Sequence, residues 1–154
     1  MTPEIEHYLQ FFADLHRQIE AVITDLPIEA LNWRPLADGD DHVTNSLAVL
    51  VTHVTGAEQY WVGQLLGGRE IDRDRLAEFQ VVAEDHDSLR RRLHETDRLT
   101  HDVLTTVDAG RLDDTVQVRE HQLTLRWGVI HMIEHAANHL GHMQLTAQLW
   151  NGSQ

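Results

Sequence analysis

The stretch that decides the fold is the long segment at residues 124–150, "TLRWGVIHMIEHAANHLGHMQLTAQLW". Its apolar residues recur at three- and four-residue steps, and no proline interrupts them, which predicts one continuous helix. Thr124 is a suitable N-cap residue, and the Asn151–Gly152 pair is typical of a helix end. Apolar side chains cover so much of its circumference that we expect this helix to be buried among other helices.

Three further segments have the same helical periodicity. They cover residues 3–25, 45–66 and 85–107. Thr44 or Asn45 can cap the second of these helices, and Gly67 and Gly68 provide its stop. Gly110 is the expected end of the third. Four long helices in one chain predict a helical bundle.

The segments between the helices carry breakers and charges. Residues 26–45 contain two prolines, a glycine and an acidic cluster, so we expect at most one short helical turn there. Residues 69–82 are charged and weakly periodic, which favours a short helix in a crossover. Val116 and Val118 alternate with polar residues and indicate a brief extended piece. We therefore predict an all-α four-helix bundle with long crossover connections, forming a single domain over residues 1–154.

The composition narrows the possible functions. The chain has 154 residues, no cysteine and a formal net charge of -13. Without cysteine, any metal ligand has to be His, Asp or Glu. A surface this acidic repels nucleic acid and anionic lipid, so we expect neither as a partner. The sequence shows no signal peptide and no apolar run long enough to cross a membrane, which predicts a cytoplasmic location.

Four histidines form a stripe on the last helix. His131, His135, His139 and His142 lie within about 80° of one another on a helical wheel. The His135–His139 pair has the i,i+4 spacing with which helical histidines bind one metal ion. A catalytic zinc usually has three protein ligands and one open position, so a third ligand has to come from another helix. His53, in the middle of the second helix, is the candidate.

A structural interpretation competes with this one, because a helical His pair is often solvated or hydrogen-bonded in a core. Taken together, however, three imidazoles facing one core without evident carboxylate partners would be costly to bury, and a divalent cation would satisfy them. The other histidines are expected mostly at the surface. His94 and His101 are a heptad apart but flanked by charged residues, and five have no useful spacing partner: His7, His16, His42, His86 and His121. The acidic run at residues 37–41 and the arginines at 90–92 are also expected to be solvated.

Three motifs together resemble a known family. They are "LNWRP" at residues 31–35, "NSLAVLVTHVTGAEQYW" at 45–61 and "TLRWGVIHMIEHAANHLGH" at 124–142. They are similar to the DinB/YfiT-like superfamily of metal-dependent proteins, and especially to its actinobacterial mycothiol-dependent branch. The resemblance implies a four-helix bundle, often dimeric, in which His53, His135 and His139 hold a divalent ion. In that branch a glutamate often stands at the position of His135, so this chain would leave more positive charge on the ion and favour an anionic fourth ligand.

The resemblance also implies a reaction. We expect a thiol-dependent S-transferase in which Zn²⁺ or Ni²⁺ activates mycothiol or another low-molecular-weight thiol toward a small electrophile. Side chains expected to line or border one substrate cavity are Tyr60, Trp127, His131 and His142, with Trp33 and Arg34 near its mouth. His131 and His142 could instead orient the ligands or carry a proton.

Two other functions remain open at the level of sequence. The same ion could supply hydroxide for a hydrolase. Alternatively, the protein could be a metal-binding homodimer without turnover. A homodimer is also expected for the transferase.

Overall fold

The computed structural model describes residues 1–36 and 44–153. The acidic run at 37–41 and His42 lie outside this part of the chain. Helix α1 (Pro3–Thr24) is capped by Thr2, whose hydroxyl accepts a hydrogen bond from the Ile5 backbone N–H. Glu4 and Glu6 lie in its first turn, where carboxylates stabilise the positive end of the helix dipole.

The second long helix is continuous but changes its winding. After the short helix α2 (Ile28–Asn32), helix α3 (Leu47–Glu58) continues without a break into a π-helical segment (Gln59–Leu66). The N-cap is Ser46, whose hydroxyl accepts from the Val49 backbone N–H. The prediction of Thr44 or Asn45 as the cap was therefore wrong.

The third long helix follows a short one. Helix α4 (Arg75–Glu78) lies in the crossover, and α5 (His86–Thr106) is capped by Asp85. Helix α5 ends before the predicted stop at Gly110, which instead lies in a 3₁₀ turn (Ala109–Asp113).

A small hairpin precedes the last helix. Strands β1 (Thr115–Val118) and β2 (His121–Thr124) pair antiparallel, with Arg119 at φ 54° in the turn between them. Helix α6 (Leu125–Gly152) follows and is capped by Thr124, whose hydroxyl accepts a hydrogen bond from the Trp127 backbone N–H. Both the strand-like piece and the Thr124 cap were predicted correctly.

The four long helices pack as a bundle, which confirms the predicted fold class. Helices α1 and α3 each pack against both α5 and α6, so α1 and α3 occupy opposite corners. Every residue of α3 is buried, because α2 and α4 also pack against it. None of the helices in the described ranges is long and apolar enough to cross a bilayer.

A buried polar cluster joins three of the helices. The His16 ring, on α1, donates to Glu58 Oε2 on α3 at 2.9 Å and to Asp97 Oδ1 on α5 at 3.1 Å. Thr100 also donates to Glu58, which is only 1% exposed. The expectation that His16 is a surface residue was therefore wrong.

The arginine run at 90–92 was also expected to be solvated. Arg92 is instead half-buried, and its Nε donates to Thr55 Oγ1 on α3 at 2.7 Å. Burial lowers the pKa of its guanidinium, which nevertheless stays charged at neutral pH. Arg92 therefore ties α5 to α3 through a hydrogen bond.

Candidate metal centre

Three histidines from two helices converge inside the bundle. His53 comes from the middle of α3, and His135 and His139 lie one turn apart on α6. Each offers one ring nitrogen within 4.8 Å of the others. The Nε2 atoms of His53 and His135 are 3.1 Å apart. The structure thus brings together the three residues that were predicted as ligands.

The environment keeps two of these rings uncharged. Burial, followed by the neighbouring histidine charges, lowers the pKa of His135 to about 3. Burial, together with His53 and His142, lowers the pKa of His139 to about 4. Both rings are therefore neutral at physiological pH. A metal ion requires neutral imidazole, so this donor set is suited to a divalent cation.

A buried carboxylate orients the third ring. His53 Nδ1 lies 2.9 Å from Glu78 Oε2, and Glu78 is 3% exposed. Because a carboxylate accepts hydrogen bonds, we assign the ring hydrogen to Nδ1. The lone pair of a neutral His53 then lies on Nε2, which faces His135. This His–carboxylate pair is common around metal sites, and it corrects the expectation that the histidines lack a carboxylate partner.

Glu78 is itself held in place by Arg73. The Arg73 Nε atom donates to Glu78 Oε1 at 2.6 Å, and Nη2 donates to Oε2 at 3.0 Å. Burial alone would raise the pKa of Glu78, but the hydrogen bonds from Arg73 and His53 outweigh it and lower the pKa. Glu78 is therefore ionised. Its carboxylate accepts a hydrogen bond from His53 Nδ1 and so fixes the orientation of the ring.

Gly56 allows Glu78 to reach α3. A Cβ atom at this position would overlap the Glu78 carboxylate and come within 3.3 Å of an Arg92 nitrogen. Only glycine leaves space for the carboxylate to approach the helix backbone one turn from His53.

Two cavities meet at the three histidines. The first, about 790 Å³, is lined by His53 and His135; we call it the polar cavity because polar and charged side chains form a large part of its remaining wall. That wall includes Gln64, Asp72, Arg73, Arg75, Gln117 and Arg119. The second, about 910 Å³, is lined by His139; we call it the apolar cavity. Its apolar wall consists of Trp33, Pro35, Leu36, Leu50, Leu145 and Leu149.

The predicted pocket residues are divided between these cavities. Tyr60, Trp127 and His131 line the polar cavity, whereas Trp33 and His142 line the apolar one. The prediction of one shared cavity was therefore wrong.

Arg34 was predicted near the mouth of that single cavity. Its guanidinium instead donates to the Phe79 carbonyl at 3.2 Å, tying the segment after α2 to the end of α4. This contact makes it a link between two connecting segments.

Aromatic rings form one side of the polar cavity. The Trp127 and His131 rings stack with centroids 4.6 Å apart, and Trp61 lies 5.7 Å from Trp127. Gly128 makes this packing possible, because a Cβ there would overlap the buried Trp61 ring. Trp127 is 43% exposed and presents part of its ring outside the core.

Comparison with known proteins identifies the family. The mycothiol S-transferase family pattern matches residues 7–152. A crystal structure of a conserved protein from Enterococcus faecalis aligns with a TM-score of 0.79, 16% identity and 99% coverage of both chains. At that identity the likeness shows the fold alone. No curated protein matches the chain. The resemblance read from the sequence is thereby confirmed: the chain belongs to the mycothiol S-transferase family.

Proposed function

We propose that this protein is a metal-dependent S-transferase that joins a low-molecular-weight thiol of the mycothiol type to a small electrophile in the cytoplasm. The observation that carries the proposal is the cluster of His53, His135 and His139, whose ligand atoms lie within 4.8 Å of one another and which line two cavities. The family match supports the reaction class.

The three histidines would hold the cation, either Zn²⁺ or Ni²⁺, because imidazole suits both. When bound, a divalent cation lowers the pKa of a coordinating thiol and favours its thiolate form. Glu78 and Arg73 keep the His53 ring oriented. The neutral state of His135 and His139 leaves their lone pairs free to act as ligands.

The polar cavity is suited to the carrier part of the thiol. Low-molecular-weight thiols present their sulfur on a hydrophilic peptide or sugar scaffold, which needs hydrogen-bond partners. Gln64, Gln117 and Arg119 supply amide and guanidinium donors in the wall of this cavity. The exposed part of the Trp127 ring adds a flat apolar surface against which a sugar ring can pack.

Metal content tests the first half of the proposal. Protein purified without a histidine tag should contain about one divalent ion per chain by elemental analysis. We expect His53→Ala to lose most of that metal, because two ligands from one helix hold a cation poorly. His101→Ala is the matched control, since its side chain is 64% exposed on α5, and it should retain parental metal. Equal metal content in His53→Ala and the parent would remove His53 from the site.

Turnover tests the second half. The metal-loaded protein should conjugate mycothiol to monochlorobimane, and chelation should abolish the reaction. Thiol-independent cleavage of esters or amides would favour a hydrolase instead. If chelation changes only stability or oligomeric state and no substrate turns over, the protein is a metal-binding dimer without activity. Sedimentation analysis of the loaded protein tests the predicted homodimer separately.

A further inference from the structure

The two cavities differ in the chemistry of their walls. The polar cavity carries amide, carboxylate and guanidinium groups. The apolar cavity is walled chiefly by leucine, proline and tryptophan side chains. Two of its leucines, Leu145 and Leu149, are 54% and 46% exposed. Large apolar side chains gathered around a concave surface are typical of a ligand site.

The histidine cluster forms the partition between the cavities. His53 and His135 line the polar cavity, and His139 lines the apolar one. The His139 ring centroid is 4.5 Å from that of His135 and 5.2 Å from that of His53. A group held beside the cluster can therefore be approached from either side. This arrangement suits a reaction between two substrates, because each can approach the cluster from its own cavity and the two are held close together.

We propose that the apolar cavity binds the electrophilic substrate, and that this substrate is a small apolar molecule such as an alkyl halide. This inference rests on the proposed function, which assigns the thiol to the polar cavity. The volume of about 910 Å³ lies in the range of small-molecule sites. Its apolar wall offers little to compensate the lost hydration of a charged substrate, whereas an apolar one gains by leaving water.

The reaction assigned to this arrangement is a nucleophilic substitution. The thiolate sulfur in the polar cavity attacks the carbon that bears the halogen in the apolar cavity. A sulfur–carbon bond forms as the carbon–halogen bond breaks, and the halide leaves with the bonding electron pair. The thiol proton passes to solvent, so no oxidant or reductant is required.

A dye titration tests the cavity without requiring turnover. N-phenyl-1-naphthylamine is neutral and apolar, and it fluoresces more strongly when it leaves water. We expect it to bind the parent protein and the chelated protein equally. The double variant Leu145→Gln, Leu149→Gln should weaken its binding about tenfold or more. Leu76→Gln is the matched control, because Leu76 is 76% exposed on α4 and should not change dye binding.

Steady-state kinetics then test which substrate each cavity binds. In the double variant the KM for monochlorobimane should rise about tenfold, whereas the KM for the thiol should stay within about twofold of the parent value. Gln64→Leu, in the polar cavity, should show the reverse pattern. Because all of these positions are at least partly exposed, circular dichroism should show parental folding in each variant.

The outcomes distinguish this inference from the proposed function. Unchanged dye binding in the double variant, or a rise in the thiol KM alone, would overturn the assignment of the apolar cavity. Absence of dye binding in the parent, together with a dimer that the double variant dissociates, would make this surface a subunit interface and also overturn it. If the dye results hold but no thiol conjugation occurs, the cavity stands as an apolar ligand site while the transferase proposal fails.

Discussion

At the scale of single residues, Glu78 is the side chain on which the orientation of His53 depends. Glu78→Gln keeps the size of the side chain but removes its charge. We expect affinity for Zn²⁺ to fall about 10- to 100-fold, because a neutral amide accepts a weaker hydrogen bond and can turn its NH₂ group toward the ring, so the His53 tautomer is no longer fixed. Competition with a chromophoric chelator measures this change. Glu70→Gln is the control, since Glu70 is exposed. Parental affinity in Glu78→Gln would show that Glu78 has no part in metal binding.

The ligands could be predicted from sequence because they follow a helical period, whereas Glu78 could not. His135 and His139 are one turn apart, and His53 is the only histidine of its helix. Glu78 lies 25 positions after His53, in a segment without clear periodicity. Only the fold of the crossover brings its carboxylate to α3. Gly56 was a usable signal, because a glycine inside a buried helix often marks a close approach by another group.

At the scale of elements, we expect alanine substitutions at two glycines of α6 to have opposite effects on stability. A Cβ at Gly128 would overlap the buried Trp61 ring, whereas one at Gly141 would meet nothing within 4 Å. We expect Gly128→Ala to lower the free energy of unfolding by about 1–3 kcal/mol, because α6 and the π-helical segment must move apart. Gly141→Ala should raise it by about 0.5–1 kcal/mol through helix propensity. Urea denaturation measures both, and a stable Gly128→Ala protein would contradict the close packing.

The element boundaries show where local patterns suffice. The start of helix α6 was predicted correctly, because Thr124 caps it, but the expected stop residues Asn151 and Gly152 form its last two positions and Ser153 is the C-cap. At the start of α3, three adjacent residues can each act as a cap, and periodicity cannot choose Ser46 from among them. The π-helical segment Gln59–Leu66 was not predicted, because its apolar pattern resembles that of an ordinary helix and its winding follows from tertiary packing.

At the scale of the whole molecule, the His16 cluster predicts a dependence of stability on pH. Burial alone would lower the pKa of His16, but Glu58 and Asp97 outweigh it and raise the pKa from 6.5 to about 10. The folded protein therefore binds the His16 proton more tightly than the unfolded chain does, and protonation of His16 stabilises the fold. Its contribution is complete below the unfolded pKa of 6.5 and is lost as the pH rises through about 10.

Urea unfolding between about pH 7 and pH 10 checks this dependence. Parent stability should fall across that range. His16→Gln should be less stable by about 3–5 kcal/mol at neutral pH, because it leaves Glu58 buried without its cation. Its stability should also depend less on pH. His101→Gln, at an exposed position, should follow the parent curve. Identical slopes for His16→Gln and the parent would show that His16 does not carry the effect.

This cluster could not be predicted because its members are far apart in sequence. Glu58 and Asp97 follow His16 by 42 and 81 positions. Each taken alone resembles an ordinary charged residue on an amphipathic helix. Packing of α1 against α5, together with a buried α3, places them in contact, so the signal exists only once the bundle has formed.

The proximity of His53 and His135 affects how the stability of the protein would depend on metal supply in a cell. These residues are 82 positions apart, so a cation shared between them would tether the first half of the chain to the second. Unfolding would require its release, and free metal would therefore shift the balance toward the folded state. Cells short of the metal would clear this protein by proteolysis faster than cells well supplied with it, and its abundance would follow metal nutrition without any change in transcription.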